Sequence, residues 1–159
     1  MSERKDPPFD LTLRPPAVAE LPAASALCLR SKAHWGYDDA FLDACRRELT
    51  IAQTDLSSTK VVLAVSGKAL LGIAQLSFTG QEAEIDKLFV EPDFIGKGIG
   101  RKLFDWAVDT ARTFGAQVLL VTADPYAVPF YEKMGFEQTG EEPSGSILGR
   151  ALPVYRLRL

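Results

Sequence analysis

Residues 88 to 107 read LFVEPDFIGKGIGRKLFDWA, and this stretch carries the strongest chemical signal in the chain. Gly96, Gly98 and Gly100 stand at alternate positions just ahead of a helical pattern. Glycine there lets the backbone approach a ligand closely and reach dihedrals closed to other residues. The first amides of a helix have no partner within it, and an anion is favoured where they point. Lys97 and Arg101 add positive charge. The expected ligand group is a diphosphate held mainly by backbone N–H groups. A Walker loop does not fit, because no Gly-Lys-Ser/Thr follows at the required spacing. A dinucleotide fingerprint fits poorly. Asp124 stands roughly where its acidic residue belongs, but an antiparallel run precedes the loop.

Other reactive side chains are sparse. One histidine and two cysteines lie spread along the chain, so no metal-ligand cluster is visible. Cys28 and Cys45 fall at apolar positions of expected helices and read as buried free thiols, with nothing nearby to lower either pKa.

The elements that must position the glycine-rich turn follow from periodicity. Phe9, Leu11 and Leu13 alternate as a first strand, which Pro15 and Pro16 end. Val18 to Leu29 has helical spacing, and Ser31 to Gly36 breaks it. A second helix starts near Asp38 and Asp39, with Phe41, Cys45 and Leu49 on one face. Residues 53–59 read as a loop. Val61 to Val65 and Ala69 to Phe78 read as a hairpin about Gly67 and Lys68. Glu84 to Val90 is the next strand. A helix then runs from Ile99, with Leu103, Trp106, Ala107, Ala111 and Phe114 on its apolar side, and stops at Gly115. Val118 to Val121 is a buried strand, and a short helix spans about Ala127 to Met134. Phe136 opens a further strand and Val154 to Leu159 forms the last. The expected fold is α/β in the α+β sense: a mixed, mostly antiparallel central sheet with helices on both faces.

Bulk properties narrow the function class. A chain of 159 residues suits one domain, expected over residues 9–159 behind a flexible tail of residues 1–8. At 47% hydrophobic and 25% charged it has the make-up of a globular protein. A net charge of -3 gives no broad basic field, so nucleic acid is not the expected partner. No apolar run suggests a secretory signal or a membrane span. The expected location is the cytoplasm.

With these residues in place, the sequence resembles the GNAT superfamily of acyl-CoA N-acyltransferases, most strongly over residues 84–136. The family's pyrophosphate loop, Q/R-x-x-G-x-G/A, has its counterpart in Ile95-Gly96-Lys97-Gly98-Ile99-Gly100. The glycines match, and Ile95 replaces the usual Gln or Arg. A second block, Asp124-Pro-Tyr-Ala-Val-Pro-Phe130-Tyr131-Glu-Lys133-Met-Gly135-Phe136, resembles N-x-x-A-x-x-F-Y-x-x-x-G-F, with Asp124 in place of Asn. The resemblance implies two parallel strands, 84–90 and 118–122, that splay apart to admit acyl-CoA. Its pantetheine arm would pair with the backbone of Leu88, Phe89 and Val90, with Phe130 and Lys133 also beside the cofactor. Acetyl-CoA is the expected cosubstrate, and a primary amine of a small molecule or peptide the expected acceptor. No metal is called for.

The chemistry needs an amine that loses a proton, a donor for the oxyanion and an acid for the thiolate. The resemblance assigns the last role to Tyr131, and the alternative is an aromatic that packs the short helix. Glu82, Glu84 and Asp86 cluster on the ligand-facing strand. A period of two puts Glu84 and Asp86 on one face, unless a local bulge intervenes. Glu84 is the first choice of base, directly or through water, and Asp86 the second. These carboxylates could instead hold a cationic amine without taking its proton.

The segment His34-Trp35-Gly36-Tyr37 reads as an acceptor-pocket wall or a hydrophobic plug. Arg150 would pair with an acceptor carboxylate or merely cap the sheet edge. Two other classes compete: a catalytically silent acyl-CoA- or CoA-binding module, and a structural domain on the same fold. Exposed sheet edges could also pair a second copy into a homodimer.

Overall fold

Alternating and β-branched runs become strands here, and the spacing of apolar residues sets which face each helix buries. The computed structural model describes residues 10–159. The expected tail and Phe9 lie outside the described residues. The order is β1 (Thr12–Arg14), α1 (Leu21–Ala33), α2 (Asp39–Leu49), α3 (Asp55–Ser58), β2 (Lys60–Ser66), β3 (Ala69–Thr79), β4 (Glu82–Val90), α4 (Ile99–Thr113), β5 (Val118–Thr122), α5 (Val128–Lys133), β6 (Glu137–Pro143) and β7 (Ala151–Arg158).

Among the described residues the strands form one seven-stranded sheet in the order β1-β2-β3-β4-β5-β7-β6. All neighbours are antiparallel except β4 and β5. Helices α1 and α2 cover one face, where Leu27, Cys28, Cys45 and Leu49 pack on Val61, Leu63 and Ile73. Helix α4 covers the other, with Ile99 and Leu103 on Val62, Leu71 and Ala74. Further along, α4 sets Phe104, Ala107 and Ala111 among Ile85, Leu119, Val121 and Phe136. Burying each large aliphatic side chain contributes about 1.5–3 kcal/mol. Gly72 lets α4 sit this close. A Cβ there would lie 2.9 Å from Leu103 Cδ1 and 3.1 Å from the Phe89 carbonyl oxygen.

Three local expectations need correction. Helix α1 runs on to Ala33, beyond Leu29, because Ser31 is buried against the fold and Lys32 finds an ion-pair partner; Gly36, at φ 88°, marks the turn after it. Residues 53–59 hold one helical turn, α3, in which the Ser57, Ser58 and Thr59 hydroxyls bond back to nearby carbonyls. Phe114 is 57% exposed rather than on the core stripe, and Phe104 takes the buried place. Phe114 follows the last residue of α4 as the chain leaves the helix, and its ring lies under Lys60 Nζ at 4.7 Å.

A bulge in β4 sets which side chains face α1. Gln75 opposes Lys87 while Leu76 opposes Ile85, which leaves Asp86 as the extra residue. Asp86 accepts a bond from Ser77 and Lys87 donates one to Gln75, so both side chains lie on the α1 side. Glu84, opposite Ser77, shares that side. Beyond the bulge Leu88 and Val90 take over the α4 face from Ala83 and Ile85.

Candidate active site

The site begins where β4 and β5 part. Their parallel pairing runs from Glu82–Val118 to Ile85–Val121 and stops. The bulge bends β4 at Asp86. On the other side, the amide of Ala123 turns to the carbonyl of Pro153. The two strands therefore open a wedge. On β4 the Glu91 amide donates to the Leu71 carbonyl. Bonded and non-bonded pairs alternate along an antiparallel ladder, so the peptide groups of Phe89 face β3 while those of Leu88 and Val90 face the wedge.

A cavity of about 430 Å³ fills the wedge. Leu88, Phe89 and Val90 line its β4 wall, and Asp124, Phe130, Tyr131 and Lys133 the opposite one. Ile95, Gly96, Gly98, Gly100 and Arg101 close one end. Of the residues expected to serve catalysis or the cofactor, Glu84, Asp86, Lys97 and Ile99 lie outside this lining. Ile99 is 1% exposed and packs in the core, so only its backbone can serve a ligand at the helix start. Lys97 is exposed, with its Nζ 5.8 Å from the Phe94 ring centroid. Glu84 sits one rung before the point of parting, on the α1 side.

The glycine-rich end is shaped by backbone conformation. Gly96 and Gly98 have φ of 84° and 87°, values that side-chain-bearing residues rarely adopt. Gly98 caps α4, whose first N–H groups have no intrahelical partner. At Gly100 a Cβ would stand 3.6 Å from the Phe130 ring, so any larger side chain would grow into the cavity. Arg101 is tethered to Asp105 at 3.2 Å.

Tyr131 is 5% exposed, its ring edge-on to Phe130 and Phe136 at 5.2 and 5.4 Å. Burial pushes its pKa well above the usual tyrosine value, so it holds its proton. Burial also raises Glu84, followed by the charges of Asp86 and Glu142, while a hydrogen bond from Thr122 works the other way. Asp86 is raised by burial too, against the Ser77 bond. Cys28 is buried, with its thiol pushed up to about 12, and both cysteines are free.

Sequence reasoning missed the group around Asp124. Its carboxylate accepts from Lys32 Nζ at 2.7 Å, the Tyr37 hydroxyl at 2.9 Å and the Tyr126 amide at 2.9 Å. Burial raises its pKa, but these donors outweigh burial and the net shift is downward. Arg150 donates to the Tyr37 hydroxyl at 2.9 Å. Trp35 stacks on Tyr126 at 5.2 Å and Tyr37 on Phe41 at 4.0 Å. The segment 34–37 is thus tied to the end of β5 instead of plugging the core. No spacing rule links Lys32 to Asp124, which stand 92 residues apart. Among the described residues no cluster of His, Cys, Asp and Glu could hold a metal, and no helix is long and apolar enough to cross a membrane.

Known proteins resemble this chain in sequence and in fold. The chain is 26% identical over 132 residues to the L-amino acid N-acyltransferase MnaT of Escherichia coli, covering 77% of each protein. It is 37% identical over 73 residues to the peptidyl-lysine N-acetyltransferase YjaB of Salmonella typhimurium, covering 46% of this chain and 48% of that one. A match to an uncharacterised N-acetyltransferase of Methanocaldococcus jannaschii spans 26% of that protein's length. In fold, the PaiA N-acetyltransferase of Thermoplasma acidophilum, solved with coenzyme A, superposes with a TM-score of 0.76 at 17% identity, over 95% of this chain and all of that one. The description of an acetyltransferase (GNAT) domain matches residues 25–146, and the chain belongs to that family.

Proposed function

We propose that this protein transfers an acetyl group from acetyl-CoA to a primary amine of a small molecule or peptide, by direct attack within a ternary complex. The observation that carries this is the parting of β4 from β5 beside the left-handed glycine loop. One cavity thereby joins an anion-binding end, free strand backbone and a buried tyrosine.

The diphosphate rests on the amides at the start of α4, with Gly96, Gly98 and Gly100 giving access. Arg101 and Lys133 add charge at the cavity wall. The pantetheine arm bonds to the peptide groups of Leu88 and Val90. The amine enters from the α1 side and is deprotonated by Glu84, directly or through water. Raised by burial and neighbouring charge, Glu84 is a stronger base than an exposed glutamate. The nitrogen attacks the thioester carbonyl, the tetrahedral intermediate collapses with cleavage of the C–S bond, the Tyr131 hydroxyl gives a proton to the departing thiolate, and the nitrogen's second proton passes through water to restore Tyr131. A tyrosine that stays protonated suits that step. A cytoplasmic location and a homodimer belong to the same proposal. The β6 edge bears Glu137, Glu141 and Glu142, so a dimer built by pairing that edge with itself would bring like charges together.

Calorimetric titration with acetyl-CoA, against CoA and NAD, tests the cleft, and thiol release with an amine panel tests transfer. Saturable acetyl-CoA binding with turnover supports the proposal. Binding without turnover on any amine would make the protein a silent acyl-CoA-binding module. No binding by folded protein would remove the cleft assignment itself.

A further inference from the structure

Two charged groups of opposite sign share one face of β5. The first contains Lys32, Tyr37, Asp124 and Arg150. Lys32 lies 2.7 Å and Arg150 3.6 Å from the Asp124 carboxylate. Their side chains are 13%, 17% and 19% exposed for Lys32, Asp124 and Arg150. Among the described residues no other carboxylate pairs with Lys32 or Arg150, so two cations face one anion. An uncompensated charge this far from water favours an anion supplied from outside. The Arg150 guanidinium also lies 4.8 Å from the Phe41 ring centroid.

The second group lies two residues back along β5. The single proton of the Thr122 hydroxyl serves two carboxylates, Glu142 at 3.5 Å and Glu84. Here carboxylates outnumber cations, and Asp86 and Glu142 both act on Glu84. Val121 and Ala123 are buried on the α4 side, so Thr122 and Asp124 point to the α1 side together. Two residues of extended chain separate them by about 7 Å. The loop between β6 and β7 joins the groups a second time, because Glu142 and Arg150 flank it and the Ser144 amide donates to the Arg150 carbonyl at 2.7 Å.

A molecule with an ammonium and a carboxylate one carbon apart carries the two charges that these groups call for, on the one face they share. Next to the pair, the exposed stack of Trp35 on Tyr126 offers an apolar surface for a side chain. We infer that Arg150, held by the Tyr37 hydroxyl, binds the carboxylate of the acceptor together with Lys32 while the Glu84 end receives its ammonium, so that the acceptor is a free α-amino acid. This rests on the acetyl transfer proposed above.

The test measures CoA release from acetyl-CoA with phenylalanine, phenylalaninamide and phenethylamine, after calorimetry has established acetyl-CoA binding. Phenylalanine should exceed phenethylamine and phenylalaninamide in kcat/KM by about tenfold or more, the size of one charge-assisted contact. Arg150→Gln should bring that ratio close to one, and Arg150→Lys should restore part of it. General damage to the fold lowers all three rates and leaves the ratio intact. Should Arg150→Gln not fold, Tyr37→Phe removes a single hydroxyl from the same group and should narrow the ratio. Equal kcat/KM for the three amines overturns the inference. So does a preference for phenylalanine that survives loss of Arg150, or absence of turnover with all three in protein that binds acetyl-CoA. Absence of acetyl-CoA binding instead removes the transfer on which the inference stands.

Discussion

The Lys32 ammonium and the Asp124 carboxylate meet at 2.7 Å, joining the end of α1 to the end of β5 beside a cavity that both residues line. The bond is largely shielded from water, and Asp124 also receives Tyr37 and the Tyr126 amide. Asp124→Ala should therefore lower stability by about 2 kcal/mol, the worth of hydrogen bonds to a charged group. Lys32→Met should cost a similar amount, and the double variant less than the sum, because both changes remove one interaction. Urea denaturation of the four proteins measures this, and strict additivity would show that the pair is not coupled.

The same carboxylate fixes a pH dependence. Its folded-state pKa lies below the ordinary aspartate value of 3.8. The unfolded chain thus takes up a proton first as pH falls. The stabilisation is fully present above the ordinary value and is lost as pH drops through the depressed one. The stability gap between the wild type and Asp124→Asn should stay constant from neutral pH to about 5 and shrink below about 4. Thermal melts across that range check it, and a gap that closes already near neutrality would contradict the assignment.

The glycine loop offers a separation of binding from folding. Gly100 has room for a methyl group, with the Phe130 ring at 3.6 Å and Val90 Cγ2 at 3.8 Å. Gly100→Ala should fold normally and gain up to about 1 kcal/mol from helix propensity. A larger residue at the same place, as in Gly100→Tyr, should fold and yet fail to bind CoA in calorimetry. Gly72 gives the opposite outcome. Its Cβ would meet Leu103, the Phe89 carbonyl and Ile99, so Gly72→Ala should lose about 1–3 kcal/mol through overpacking.

How much of this the sequence disclosed depends on the range of each contact. Gly96, Gly98 and α4 are consecutive, and their message is local: positive φ, then unpaired amides, then an apolar stripe. They were legible, as were the hairpin of β2 and β3 and the start of α2 near Asp38 and Asp39, where the structure makes Asp38 the cap that accepts from the Phe41 amide at 2.8 Å. The bulge at Asp86 was open only as a conditional, because it is a mismatch between two strands and neither strand records it alone. Lys32, Tyr37 and Arg150 come from three separate segments, and only the sheet order brings them to Asp124. Arg150 could be singled out as a cation in a loop, but its partners could not. Phe114 failed for a related reason, since periodicity does not mark where a helix stops and a side chain leaves the stripe.

Tyr131 should separate chemistry from binding. It lines the cavity while its ring is held by Phe130 and Phe136. Tyr131→Phe keeps the ring contacts and removes only the proton donor. The expected result is a fall in kcat of about a hundredfold, the lower end of general acid catalysis, with CoA affinity unchanged. Single-turnover rates and calorimetry measure the two quantities, and an unaltered kcat would return Tyr131 to a packing role.

Glu84 should show activity and stability pulling in opposite directions. Burial, Asp86 and Glu142 raise its pKa above the ordinary 4.5, so the folded state holds its proton more tightly than the unfolded chain does. A raised carboxylate loses stability for the protein as pH climbs from the unfolded value through the folded one, and the deficit stays at neutral pH. Glu84→Gln removes the charge and keeps the shape. At pH 7 it should therefore melt higher than the wild type, with the difference vanishing below the ordinary glutamate value. Its kcat/KM should fall, and the acidic limb of the pH–rate profile, set in the wild type by a group titrating above 4.5, should disappear. A variant that melts higher and keeps both its rate and that limb would leave Glu84 as a charge that only orients the acceptor's ammonium, and would move the search for the base to Asp86.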